Sequence, residues 1–316
     1  MAEHYRSEGH YDRLLTNISQ QARNVSYIAD QIFPIVTVMK ASDYIAKYNQ
    51  SHWFRNGAAL RAPRTASVGG GFSVTQDSYI TERVSFRDEF SDDEQANYDN
   101  PFQLLTDSVD FVTDKMGLYR ETQFATKFFA PSKGWYDRAG TTHFVKWSDV
   151  STSNPMKDVG TYKDYVETQI AREPNKFVMG KEAYLTARWN VKVLDSIKYT
   201  QTGIVSKDLL ASLFEFDDIL IGRAIQTTDP EGTAEASVTY ARVWGDRALM
   251  VYVPERPSLR VPAAGYTLVW QVVPNALQYI KRMRDEEREA NIIEGNSYFV
   301  QKQTSGAAGA LLDDIS

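Results

Sequence analysis

Four histidines, His4, His10, His52 and His143, are the side chains best suited to proton transfer near neutral pH. Only His143 falls in a stretch patterned like a folded core, Thr142 to Trp147, and a carboxylate such as Asp149 could orient its ring as a general base. No Gly-x-Ser-x-Gly elbow accompanies it, so a packed or surface strand histidine is the ordinary explanation. The chain has no cysteine, which removes disulfides, thiolate nucleophiles, zinc knuckles and iron–sulfur ligation together. Asp92-Asp93-Glu94 lacks the alternating ligands and the glycine of an EF-hand loop and reads as a solvated acidic face. Gly69 to Gly71 match neither a P-loop nor a dinucleotide fingerprint, and Glu286 with Glu287 stand inside a charge run. Asn17, Asn24 and Asn49 have glycosylation spacing without a secretion signal to give it meaning. The expectation is no catalytic residue, no metal, no cofactor and no enzyme activity.

The elements that hold these residues carry more information. With 316 residues and 42% apolar side chains, the chain can pack two domains or one large one. Lys and Arg number 35 against 41 Asp and Glu, a net charge of −6 and the wrong sign for tight phosphate binding. No run of about eighteen apolar residues occurs, and the opening MAEHYRSEGHYDRLL lacks the apolar stretch of a secretion signal. A chain without a membrane partner, kept inside the cell that makes it, is expected.

Five zones follow in order. The first fifty residues have one apolar-periodic piece, Ile28, Ile32, Ile35 and Val36, broken at Pro34, and form an arm that must rest on something else. From His52 to Ser91 a strand-like alternation, with Phe72 and Val74, then Tyr79, and later Val84, Phe86 and Phe90 on every second position, is compatible with a long hairpin having a loose glycine tip or with a flexible linker between strands. An acidic lead-in then precedes a helix with Asn100 as cap, Pro101 in the first turn and Gln103 at capping-box spacing. Phe102, Leu105, Val109, Val112, Met116, Tyr119, Phe124 and Phe128 mark its apolar face, so a rod over 101–130 of roughly 45 Å is predicted. Residues 154–262 alternate between helix and strand, with Asp229-Pro230-Glu231-Gly232 as a surface turn. After the strand Tyr266, Leu268, Trp270 and Val272, the run Lys281–Glu289 has helical ion-pair spacing at Lys281/Asp285 and Arg282/Glu286, whereas the following Ile292, Ile293, Tyr298 and Val300 look like strand; periodicity alone does not decide.

The order of these zones resembles the HK97-fold major capsid protein of tailed double-stranded DNA bacteriophages. Stretches that carry the likeness are IADQIFPIVTVMKASDYIAKYNQSHWFR, LRAPRTASVGGGF, NPFQLLTDSVDFVTDKMGLYRE, SIKYTQTGIVSKDLLASLF, ILIGRAI, VWGDRALMVYVPERPSLRVPAAGYTLVW and IKRMRDEEREANIIEG, in that order over essentially the whole chain. The resemblance implies an α+β HK97-like capsid fold: an N-terminal arm (1–51), an extended E-loop hairpin (52–91), a P domain in two parts (92–149 with the spine helix 101–130, and 263–316) and an A domain (150–262). It also places Lys281–Glu289 in the long P-domain strands or at their junction. The implied function is a structural subunit of the icosahedral head shell that encloses the genome, located in the virion capsid and assembled in the host cytoplasm.

Arm and hairpin have no core of their own, so Trp53, Phe54, Phe72, Tyr79, Phe86 and Phe90 are expected to be exposed on a monomer and covered by neighbours. Predicted inter-subunit contacts are Trp53, Phe54, Arg55, Arg61, Arg64, Phe72, Tyr79, Arg83 and Arg87, residue types favoured at interfaces. The five arginines are expected to meet acids at Asp88–Asp99 of adjacent subunits. Implied partners are copies of the same chain in pentamers and hexamers, a portal protein, a separate scaffolding protein since only about fifty residues precede the hairpin, and a decoration or cement protein. Contact with packaged DNA should be weak and non-specific. The family's isopeptide cross-link is not carried over, because no lysine occurs between Lys47 and Lys115. Two rivals remain: an encapsulin-like nanocompartment shell, and a soluble α/β hydrolase or transferase using His143.

Overall fold

A computed structural model describes residues 24, 26–97, 104–198, 205–257, 261–271 and 278–316. A short helix α1 (Ala29–Ile32) and strand β1 (Ile35–Val38) come first, separated at Pro34, followed by β2 (Ser42–Tyr48) and the one-turn helix α2 (Gln50–Trp53). A long loop leads to β3 (Val74–Ile80), β4 (Glu82–Ser91) and α3 (Asp92–Asn97). The long helix α4 (Leu104–Phe128) runs into β5 (Tyr136–Ala139). Next come α5 (Pro155–Ile170), β6 (Lys176–Gly180), α6 (Lys181–Trp189), α7 (Val191–Ile197), α8 (Lys207–Phe214) and β7 (Asp218–Gly222). The small pair β8 (Ile225–Gln226) and β9 (Ala241–Arg242), then β10 (Arg247–Val251), complete this stretch. The chain closes with β11 (Gly265–Trp270), β12 (Tyr279–Asp285), β13 (Ala290–Gln303) and β14 (Gly309–Asp313).

Two five-stranded sheets carry the body. In the first, β13 is the common partner: β4 pairs antiparallel with it from Ala290↔Ser91 to Phe299↔Glu82, while β12 and β11 pair with successive parts of it and β1 lies parallel to β11. The second has the order β5-β14-β10-β6-β7. Most of its strand residues are buried, so they read as short continuous apolar runs such as Phe177-Val178-Met179 and Ile219-Leu220-Ile221. One contiguous core extends from Ile28 through the second sheet to Ile315, and a smaller cluster of Phe90, Leu104, Val112 and Ile293 joins α4 to the first sheet.

Several expectations shift. The hairpin is not residues 52–91: its strands are β2 and β3, paired from Ser42↔Ile80 to Tyr48↔Val74, and β4 belongs to the first sheet. A boundary at residue 51 therefore falls inside the hairpin. Nor is 150–262 self-contained, since its sheet takes β5 and β14 from the flanking segments. The described part of helix α4 spans about 37 Å and ends at Phe128, two residues before the expected 130, while Asn100, Pro101, Phe102 and Gln103 lie outside the described residues. Its buried face runs through Leu104, Ser108, Val112, Met116, Glu121, Phe124 and Phe128, leaving Tyr119 exposed. A reciprocal capping box occurs at α3, where the Glu94 N–H donates to Ser91 Oγ at 3.2 Å and the Ser91 N–H to Glu94 Oε2 at 3.0 Å. Lys281 to Asp285 is strand with a turn after it; its charges pair across the sheet, Arg284 with Asp92 at 2.7 Å and Arg288 with Glu89 at 3.3 Å, so the helical spacing is incidental.

A buried carboxylate ties three parts of this body together. Glu121 on α4 has no solvent exposure; it accepts the N–H groups of Ile28 (3.0 Å) and Ala29 (2.9 Å) at the start of α1, and Trp244 Nε1–H at 2.7 Å. Alongside it Arg120 pairs with Asp30 at 2.7 Å, and Tyr27 OH donates to Asp114 at 2.7 Å. Gly117 is required here because a β-carbon would collide with the Tyr27 ring. Burial pushes the Glu121 carboxyl above its usual range, against the lowering pull of the three donors, with Asp30 adding a smaller push upward. A raised carboxyl contributes stability that is complete below the ordinary carboxylate range and is lost as pH rises through the raised value. Glu121→Ala strands three buried donors and should lower the unfolding free energy by at least about 3 kcal/mol. Urea unfolding at pH 5 and pH 8 checks this: the deficit relative to wild type should be larger at the lower pH.

Candidate inter-subunit interface

The hairpin leaves the body with little to bury. Alternate β2 residues are exposed, Tyr44 among them at 67%, and β3 exposes Val74 and Ile80. At its outer end Asn49 caps α2 through Ser51, and the Asn49 N–H donates to Ser73 O at 3.2 Å. Three rings gather there: Phe72 lies 6.1 Å from Tyr48 and 5.9 Å from Trp53, yet Trp53 and Phe72 stay 65% and 62% exposed.

Beyond this cluster the chain has one turn of its own. The Thr65 N–H and hydroxyl both donate to Ala62 O, Arg61 Nε donates to Thr65 O, and Arg64 adopts a positive φ of 63°. Every residue from Trp53 to Gln76 is exposed, Leu60 fully so, and a β-carbon at Gly69, Gly70 or Gly71 would meet nothing within 4 Å. No acidic residue stands between Gln50 and Gln76, while Arg55, Arg61 and Arg64 all do. The tip is thus cationic and aromatic, and Arg55, Arg61 and Arg64 have no carboxylate partner among the described residues; residues of these types are enriched at interface centres.

Six of the predicted contacts, Trp53, Phe54, Arg55, Arg61, Arg64 and Phe72, fall together on this tip. The others do not. Tyr79 is buried with its hydroxyl donating to Lys40 O at 3.3 Å, and Phe90 is buried in the α4 cluster, so neither is an exposed aromatic. Arg83 is on β4 and is engaged within the chain, with Glu294 at 2.9 Å and with Asn296. Arg87 is exposed on β4, and Phe86 rests edge-on against Phe111 at 5.7 Å. The positions of Phe86, Arg83, Arg87 and Phe90 follow from β4 lying beside β13, whereas Tyr79 belongs to β3. Two of the expected acidic receivers are taken up within the chain, while Asp93 is exposed: Asp88 is buried, and Asp92 takes a two-pronged grip from Arg284 at 2.9 and 2.7 Å. Residues 98 and 99 of that run lie outside the described residues. The hairpin as folded does include a lysine, Lys47 on β2, although residues 49–73 have none. Tyr44, Tyr48 and Leu60 were missed as surface groups, though the alternation of SDYIAKY offered a signal for the two tyrosines.

His143 is exposed, and its Nδ1 accepts the Ala139 N–H at 3.3 Å. Asp149 accepts from the hydroxyls of Ser151 and Thr152 and the Ser151 N–H, bonds that hold its carboxyl down to about 2 and make it a turn cap. A cavity of about 450 Å³ opens between α1 and α4 beside Tyr27, Asp30, Asp114 and Arg120, and His143 does not line it. Among the described residues, no group of three or more His, Asp or Glu is placed to hold a metal ion, and no helix is long and apolar enough to cross a membrane.

No protein-family model matches the chain. It is 24% identical over 316 residues to the major capsid protein of Burkholderia phage BcepMu, covering 96% of each chain, and 25% identical over 244 residues to the major capsid protein of Pseudomonas phage JBD67, covering 76% of each. Among solved structures, a phage-related protein from Bordetella bronchiseptica RB50 superposes with a TM-score of 0.70 at 20% identity, covering 96% of this chain and 97% of that one. The capsid of cyanophage P-SCSP1u gives 0.60 at 10% identity, over 94% and 90% of the two chains. The SrpI encapsulin of Synechococcus elongatus gives 0.50 at 11% identity, over 98% and 97%. The chain has an α+β HK97-like fold and resembles phage major capsid proteins along its length.

The exposed tip aromatics contribute little to the packing of their own chain. Trp53→Ala should change the unfolding free energy of the unassembled chain by less than about 0.5 kcal/mol, whereas Phe90→Ala should cost about 3–5 kcal/mol. Denaturant midpoints of the two variants give the comparison.

Proposed function

We propose that this chain is a structural subunit that assembles with copies of itself into the icosahedral head shell of a tailed double-stranded DNA bacteriophage. The hairpin tip carries the reading: an acid-free, three-arginine surface with exposed Trp53, Phe54 and Phe72 projects from a body that has its own packed core. Its natural cover is a neighbouring subunit, as similarity to two phage major capsid proteins over 96% and 76% of the chain supports. Pentamers and hexamers of the chain, a portal at one vertex, a separate scaffolding protein and a decoration protein belong to this reading, as do assembly in the host cytoplasm and a place in the virion capsid. With a net charge of −6, contact with packaged DNA is weak, salt-sensitive and sequence-independent. The role is structural and not enzymatic; His143 and Asp149 are both accounted for by local backbone and hydroxyl bonds.

An encapsulin shell shares the fold, and the contents of the particle separate the two: genomic DNA against protein cargo. Negative-stain microscopy of the purified chain under assembly conditions tests the proposal, with shells tens of nanometres across expected. Arg61→Glu combined with Arg64→Glu should cut particle yield at least tenfold while circular dichroism of the soluble chain stays unchanged. Undiminished yield would remove the arginines from the interface, and a stable small oligomer of the wild-type chain would contradict the shell.

A further inference from the structure

The hairpin joins the body at a narrow foot. Only Met39, Lys40 and Ala41 separate β1 from β2, and Thr81 alone separates β3 from β4. Thr81 closes the foot, its N–H donating to Ala41 O at 2.8 Å and its hydroxyl to the same oxygen at 3.0 Å. Trp270 Nε1–H donates to Met39 O at 3.2 Å and Tyr79 OH to Lys40 O, so the foot is anchored to β11 and is itself a pivot of few residues.

Farther from the pivot, one carboxylate reaches in two directions. Asp77 on β3 accepts from Lys302 Nζ on β13 at 2.8 Å through Oδ1, and from Lys47 Nζ on β2 at 2.7 Å through Oδ2. Lys302 belongs to the body and Lys47 to the hairpin. Their side chains are 27% and 33% exposed, and that of Asp77 is 30% exposed, so water reaches the trio. Lysine hydrogen bonds from both sides hold the Asp77 carboxyl below its usual range, which keeps it ionised at neutral pH.

We propose that Asp77 is a shared latch: its bond to Lys302 holds the hairpin against the body, and its bond to Lys47 keeps the carboxylate paired when the hairpin swings away. Releasing an ordinary ion pair leaves a half-buried charge without a partner, which is the expensive part of breaking it. Here release leaves Asp77 with Lys47 and returns Lys302 to water it already touches. The swing is therefore inexpensive and sensitive to salt. This deepens the reading of the hairpin as the joining arm of a shell subunit, on which it rests: copies in five- and six-membered rings meet at different angles, and an adjustable hairpin lets one sequence serve both.

The absence of cysteine permits a clean test. Spin labels at Gly57→Cys on the tip and Lys127→Cys on the exposed side of α4 report the hairpin angle, and dilution into excess unlabelled chain confines the distances to single subunits. A Cβ at Gly57 meets nothing within 4 Å, so the label perturbs little. The otherwise wild-type chain should give a narrow distance distribution in low salt that broadens at least twofold in 1 M NaCl. Lys302→Met should broaden it in low salt, whereas Lys47→Met should leave it narrow. An unchanged distribution in Lys302→Met would overturn the latch, as would equal broadening in Lys47→Met, which would make Asp77 a brace within the hairpin. Failure of the shell reading shows in microscopy and leaves these intramolecular distances untouched, so the two failures are distinguishable.

Discussion

A folded chain that keeps a cationic aromatic loop in water has left part of its apolar surface without cover, and the rest of this molecule is arranged around that constraint. Residues 49–73 contribute Trp53, Phe54, Leu60, Val68 and Phe72 to the surface while their backbone makes few bonds of its own. An exposed patch of this kind is a liability on a lone chain and a driving force among many copies. The absence of acid from Gln50 to Gln76 gives it a sign as well as an apolar character, so tips repel one another and seek a different surface on the neighbour.

Such a projection needs a stiff base, and the body supplies one. The fourteen-residue strand β13 pairs with β4, β11 and β12, so the segments on both sides of the hairpin foot are fixed to one sheet. Glu121 does the same for the other sheet, joining α1, α4 and Trp244 at one carboxylate. Rigidity ends at Thr81 and at Met39 to Ala41, the places where bending leaves the packing of either unit intact.

Local pattern in the sequence reached the elements and stopped at their pairing. The alternation of helix and strand over residues 154–262 and much of the apolar face of the long helix were legible, because each depends on near neighbours in the chain. The strand-like alternation from Phe72 to Phe90 passes through Thr81 with no glycine or proline to break it, so nothing local shows that β3 and β4 belong to different sheets. The pairing of β4 with β13 put Phe90 in the core and gave Arg83 partners within the chain, and the hydroxyl of Tyr79, on β3, reaches Lys40 O at the hairpin foot. Glu121 was invisible for a related reason: an acid on a helix looks solvated until the N–H groups of Ile28 and Ala29 are brought to it. The exposure of Trp53, Phe54 and Phe72 was legible because it needs no distant partner to bring it about.

Hydrogen–deuterium exchange of the same chain before and after assembly measures whether the tip gains cover from its neighbours. Amides of residues 55–72 should exchange within seconds in the unassembled chain and slow by at least a hundredfold in the shell, with β6, β7 and β10 protected in both. Equal exchange of the tip in the two states, with the slowing confined to other surfaces, would contradict the claim that the hairpin is what joins one subunit to the next.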